Sequence, residues 1–128
     1  MKSTNIPKWI SIVSSLICLL GLFVGCSLYV SRGTFIHDVD FSSSGALYLA
    51  RMWGARQITL ASIIGFSTFR KSIPMLQISL AAYSLMNVQD ALIGVWRSDI
   101  GLMVGATLFM LLPAYMVYRL TRLDTTLL

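Results

Sequence analysis

The chain has 128 residues, 56% of them hydrophobic and only 12% charged, with a formal net charge of +5. Such proportions exclude an ordinary soluble domain and describe an integral membrane protein with room for a single domain, residues 1–128. The basic residues stand singly or in pairs at the ends of apolar runs, forming no basic face, so the positive charge does not indicate nucleic acid.

In chain order, Lys2, Pro7 and Lys8 precede an apolar run from Ile10 to Val30, long enough for a first transmembrane helix, with Pro7 suited to its first turn. A basic start and an apolar core also describe a signal peptide, and Leu22-Phe-Val-Gly-Cys26 loosely resembles a lipoprotein cleavage box. Phe23 sits poorly in that box, and an uncleaved helix over about 10–30 is the expectation. Ser14, Cys18, Gly21 and Gly25 recur every three or four residues, a narrow side on which another helix can approach closely. The two cysteines, Cys18 and Cys26, have no redox or metal spacing and read as small membrane residues.

Residues 31–45 form the one connection long enough to have structure of its own, expected outside the membrane. It carries Arg32, His37, Asp38 and Asp40, and one histidine without a second cluster makes a solvated loop a better reading than a metal site. The run Ser42-Ser-Ser44 supplies an N-cap for a second helix over 46–69. The turn Arg70-Lys71-Ser72 leads to a third helix over 73–96, with Pro74 in its first turn, and Arg97-Ser-Asp99 to a fourth over 100–118. Such short connections make sequential helices antiparallel. Gly101 and Gly105 give the fourth helix a small face, Pro113 is expected to kink it or end its regular bonding, and Arg119, Arg122 and Asp124 are expected in a tail.

Lys2, Lys8, Arg70, Lys71, Arg119 and Arg122 fall at one end of these segments, against Arg32 and Arg97 at the other. The positive-inside rule then predicts an all-α, up-down-up-down protein with four transmembrane helices and both termini cytoplasmic, in a cell inner membrane or an endoplasmic-reticulum-type membrane.

Chemistry concentrates in two stretches. The second helix carries Tyr48, Arg51, Trp53, Arg56 and Gln57 in otherwise apolar surroundings, and the third closes on Tyr83, Asn87, Gln89 and Asp90. At 1.5 Å per residue, Arg51 lies roughly 8 Å and Arg56 roughly 15 Å below the outer end of its helix, level with Asp90 at roughly 9 Å and Asn87 at roughly 13 Å. Tyr48, Arg51, Ala55, Thr59 and Ser62 share one helical face, with Arg56 at its margin, and Tyr83, Asn87, Asp90, Ala91 and Gly94 share another. Pairing of Arg51 or Arg56 with Asp90 is the natural solution, since ionisable groups at this depth face protein or a watery cavity. A pair that merely fixes helix register is one reading. Two embedded arginines against one aspartate favour another, in which the excess charge meets a carboxylate, phosphate or carbonyl on a lipid-like ligand. Trp53 lies too deep for an interfacial anchor alone.

The pattern Leu49-Ala-Arg51-Met-Trp-Gly54-Ala-Arg56, the short basic turn and the polar residues from Asn87 to Asp90 resemble the small four-helix membrane proteins of the DoxX-like group. The chain is also similar to the fungal ergosterol-biosynthesis scaffold protein, with its Ala-Arg-x-x-Gly opening. The resemblance covers about residues 46–118, carries over only Arg51, Gly54 and the polar end of the third helix, and implies an accessory, scaffold or lipid- and quinone-related role.

Three functions follow as expectations. The first is an accessory or carrier protein that holds an isoprenoid, sterol, quinone or lipid in an outer-half cavity lined by Tyr48, Arg51, Trp53, Arg56, Tyr83, Asn87 and Asp90, without cofactor or metal. The second is a cofactorless isomerase or cyclase, with Asp90 as general acid or base and Arg51 and Arg56 stabilising negative charge. The third is a small transporter, disfavoured because the first helix lacks an embedded acid. Partners would be membrane lipids or a lipophilic small molecule, with a homo-oligomer or a membrane-protein partner as further options.

Overall fold

Residues 5–30, 40 and 42–125 of the computed structural model are described here, and their regular structure is four helices: α1 (Lys8–Val30), α2 (Ser44–Phe69), α3 (Ile73–Arg97) and α4 (Ile100–Thr125). Three of these, α1, α3 and α4, are long and apolar enough to cross a membrane. The protein is therefore a helical membrane protein. Helix α2 is as long, at 26 residues, but Arg51, Arg56, Gln57 and a scatter of hydroxyl side chains lower its hydropathy.

Four helix limits differ from the sequence-based expectation: α1 starts at Lys8 and not at 10, α3 ends at Arg97 and not at 96, and the start of α2 and the end of α4 also move. Helix α2 starts at Ser44, two residues early, because Ser43 caps it: the Ser43 hydroxyl accepts from Ala46 N–H at 3.3 Å and its carbonyl from Leu47 N–H at 3.2 Å. Helix α4 continues past Tyr118 to Thr125, so Arg119, Arg122 and Asp124 sit on a helix and not in a tail. Nothing in Leu120-Thr-Arg-Leu-Asp124 breaks a helix, and Met116 and Leu120 are fully buried, so packing carries the helix onward. Pro113 does not end α4 either; it lies inside the helix.

The chain divides into two compact units, residues 12–66 and residues 1–11 with 67–128. In the first, α1 and α2 run antiparallel and meet through small residues. A Cβ built on Gly21 would lie 2.8 Å from Ala61 Cβ, one on Gly25 would lie 3.0 Å from the Gly54 carbonyl oxygen, and one on Gly65 would lie 2.6 Å from Cys18 Sγ. Gly54 answers Gly25 in kind, since a Cβ there would stand 3.0 Å from the Gly25 carbonyl oxygen and 3.0 Å from the Tyr29 ring. Where two backbones face each other like this, no side chain can give way, and only glycine fits. The narrow side of α1 is thus in use.

In the second unit, both short connections close in the same way. Lys71 and Ser98 adopt left-handed backbone, with φ of 51° and 55°. Around Ser98, its own N–H reaches the Val95 carbonyl at 3.1 Å while Asp99 N–H reaches Gly94 at 2.9 Å; around Lys71, its N–H reaches Thr68 at 3.1 Å and Ser72 N–H reaches Ser67 at 3.2 Å. These paired bonds satisfy carbonyls that a helix end would otherwise leave open. Asp99 then caps α4, its carboxylate accepting from Leu102 N–H at 3.0 Å. The result is an antiparallel α3–α4 hairpin packed along its length: Gly94 faces Met103, Tyr83 faces Phe109 edge-on at 6.3 Å, and Gln77 donates to the Thr121 hydroxyl at 3.3 Å.

Helix α3 is the core of this unit. Ile73, Leu76, Leu80, Tyr83, Asn87, Asp90 and Gly94 are all buried, at alternating spacings of three and four. That is the seam of a helix packed at close to 3.5 residues per turn. Its first half is aliphatic and its second half polar.

Glycine substitutions separate the used seam from an unused one. Gly54→Ala is expected to destabilise the protein by about 1–3 kcal/mol, because its methyl meets backbone. Gly105→Ala, where no atom lies within 4 Å, is expected to be neutral or slightly stabilising. Denaturant titration of both variants in one detergent checks the contrast.

Candidate functional site

The residues expected to form a site divide between the two units. On α2, the face predicted from Tyr48, Arg51, Ala55, Thr59 and Ser62 lies at the surface, with Tyr48 at 64% exposure. Thr59 turns its hydroxyl back onto the Ala55 carbonyl at 2.8 Å, which satisfies it within its own helix. Arg51 stands on this outer face. Trp53 and Arg56 are half-buried and Gln57 is buried, three residues that share a different face of the same helix. The arginines therefore point to two sides of α2 and not to one.

The Trp53 indole N–H is completely buried and finds no acceptor among the described residues. A buried donor left unsatisfied costs on the order of 1–3 kcal/mol, so its persistence calls for an explanation. Neither α1 nor α2 contains an aspartate or glutamate. Around Trp53 the helix thus offers donors: an indole N–H, a guanidinium one turn on and an amide beside it.

On α3, the structure brings Tyr83, Asn87 and Asp90 together on the buried seam, each at 6% exposure or less. Asn87 Nδ2 donates to the Tyr83 carbonyl of its own helix at 2.8 Å, which fixes the amide and leaves its oxygen as an acceptor. Gln89 is exposed and takes no part in the seam. Arg56 and Asp90 each have a partner.

Among the described residues, no group of three or more histidine, cysteine, aspartate and glutamate side chains is placed to hold a metal ion. His37 and Asp38 lie outside the described residues. Asp40 is fully exposed, and the Ser42 hydroxyl and its N–H, the latter at 2.9 Å, hold its carboxyl below the usual carboxylate range.

Sequence reasoning passed over Ser84. Its hydroxyl crosses from α3 to donate to the Met110 carbonyl of α4 at 2.7 Å. Pro113 has no N–H to give Phe109, and its ring pushes that turn of the helix open. The Ser84 bond lands on the next carbonyl, the way a neighbouring helix supports a proline inside a membrane. Counting outward from the Ser98–Asp99 turn places Ser84 opposite Pro113, so the signal was present.

Compared with protein-family models, with curated proteins and with solved structures, the chain matches none.

Ser84→Ala is expected to cost about 0.6–1.7 kcal/mol, the range of membrane interhelical hydrogen bonds. The cost should shrink once Pro113→Ala restores the helical donor. A double-mutant cycle read by unfolding in detergent gives the coupling, and strict additivity would show that the serine does not serve the proline.

Proposed function

We propose that the protein binds a lipophilic ligand with an acceptor-rich, polar or anionic head, such as a phosphate or carboxylate carried on an apolar chain, and acts as an accessory or carrier protein. The observation that carries this reading is the buried Trp53 N–H without an acceptor, on a helix with two arginines and no carboxylate of its own. A head bearing oxygens gives the indole its acceptor and lies beside the Arg56 guanidinium one turn on, which adds charge-assisted bonds stronger than neutral ones. Tyr48 and Arg51, exposed on the outer face, meet such a head first as it arrives from the lipid. The reading agrees with the accessory role that the DoxX-like resemblance implies.

We also infer that α2 crosses the membrane beside α1, with both termini on the cytoplasmic side. Two facts support the crossing of α2: helix α1 is apolar enough to span, and α2 runs antiparallel to it at close range, with Gly54 against the Gly25 backbone and Gly65 against the Cys18 side chain. The orientation rests on the excess of basic residues at one end of the segments. Single cysteines at Ser43 and Ser72, at the two ends of α2, in a protein otherwise free of cysteine are expected to react with an impermeant maleimide from opposite faces of sealed vesicles. Labelling from the same face would remove this topology.

Native mass spectrometry of gently extracted protein, with lipid identification, tests the ligand. Wild type is expected to retain one class of polar-headed lipophile, and Trp53→Phe and Arg56→Gln to lose it by at least about tenfold, the worth of one charge-assisted bond. Trp53→Phe should keep full helicity by circular dichroism, since it removes only a donor. Equal retention in all three proteins would refute the reading.

A further inference from the structure

The extension of α4 beyond Tyr118 has a consequence independent of the α2 ligand. Its residues divide by face: Leu120 is fully buried and Leu123 half-buried, while Arg119 and Arg122 are exposed. Two contacts make the extension rigid. Gln77 of α3 donates to the Thr121 hydroxyl at 3.3 Å, and Thr121 in turn donates to its own Val117 carbonyl at 2.9 Å. The Arg122 guanidinium lies 5.2 Å from the centre of the Tyr118 ring, which orients it along the helix.

The same unit presents the other cations of this region on equally ordered elements. Arg70 and Lys71 stand exposed on the turn fixed by its paired backbone bonds, next to the start of α3, and Lys8 is exposed at the start of α1. Trp9, beside Lys8, packs against Tyr115 of α4 at 6.1 Å. At this end of the unit, among the described residues, five exposed cations, Lys8, Arg70, Lys71, Arg119 and Arg122, stand against one carboxylate, Asp124, while Arg97 lies at the opposite end of α3. Aromatic residues that are apolar at one end and polar at the other belong at the level of lipid headgroups.

From this juxtaposition we infer that the basic end of the α3–α4 hairpin is a docking surface for anionic phospholipid. Tyr115, Tyr118 and Trp9 seat it at the headgroup level, and Arg119 and Arg122 take the lipid phosphates. Arginine suits a phosphate diester because its fork offers two parallel donors. Holding the arginines on a packed helix removes much of the ordering cost that a flexible tail would incur on binding. The charge complementarity selects the partner, since zwitterionic lipid offers no net charge to attract the surface. Free phosphate would match the guanidinium but gains nothing from the aromatic rim.

The test uses the full chain reconstituted in phosphatidylcholine vesicles with trace spin-labelled phosphatidylglycerol or spin-labelled phosphatidylcholine, read by electron paramagnetic resonance. Wild type is expected to prefer the anionic label, and the preference should weaken with added salt. The double variant Arg119→Gln/Arg122→Gln is expected to lower the preference by about fivefold for each lost charge, or to parity. Arg119→Lys/Arg122→Lys should retain most of it, which separates loss of charge from loss of fold. No preference in wild type, or an undiminished preference in the glutamine variant, would overturn the proposal. So would displacement of the lipid by inorganic phosphate at an ionic strength at which chloride leaves it in place.

Discussion

A helix in hydrocarbon has no water to satisfy its backbone, so each carbonyl freed by a turn, a proline or a helix end must find a donor in the protein itself. Much of this chain's detail follows from that constraint. Both tight turns, though exposed, follow the same rule at the helix ends, closing with paired N–H bonds onto the last helical carbonyls with left-handed backbone at Lys71 and Ser98, neither of them glycine. Ser27, Thr59, Thr107 and Thr121 fold their hydroxyls back onto carbonyls of the preceding turn, which hides polar groups from lipid. Ser84 carries the same principle between helices, beside a proline that takes a donor away.

That economy breaks at the buried Ser14 hydroxyl of α1, which has no partner among the described residues, and most visibly on α2. Its cations are spread over two faces, its tryptophan buries a donor with no acceptor among the described residues, and it contains no acid. Yet it packs against α1 as tightly as two backbones allow. The helix thus pairs closely on one side and buries the Trp53 donor without an acceptor among the described residues on another. Helix α3 shows the contrast. Its polar residues lie within a regular buried seam, and Asn87 is tied to its own backbone.

Much was legible before any coordinates. Composition alone required a membrane protein, and hydrophobic length located the four helices, three of them apolar enough to cross a bilayer of fixed thickness. The spacing of Cys18, Gly21 and Gly25 announced a close helix contact, and tight connections announced an antiparallel hairpin. The end of α4 was misplaced because charge and falling hydropathy at Arg119 look like an exit from the membrane. Burial of Met116 and Leu120 against the rest of the unit, which no local pattern records, keeps the helix going. Periodicity placed Arg51 on a face suited to pairing with Asp90, whereas it is exposed, because the angle of a residue on its own helix does not say what stands opposite.

By itself, then, the sequence determined the elements, their order, the antiparallel sense of the short connections and the residues with chemical potential, since all of these depend on composition, period and distance along the chain. Tertiary structure decided which glycines are used, which way each arginine faces and which polar groups are satisfied. Gly25 and Gly105 look alike in sequence, and only the first has another backbone 3.0 Å from where its Cβ would be. The difference lies in packing between segments distant in the chain, and helical periodicity fixes a residue's angle on its own helix without saying what stands opposite.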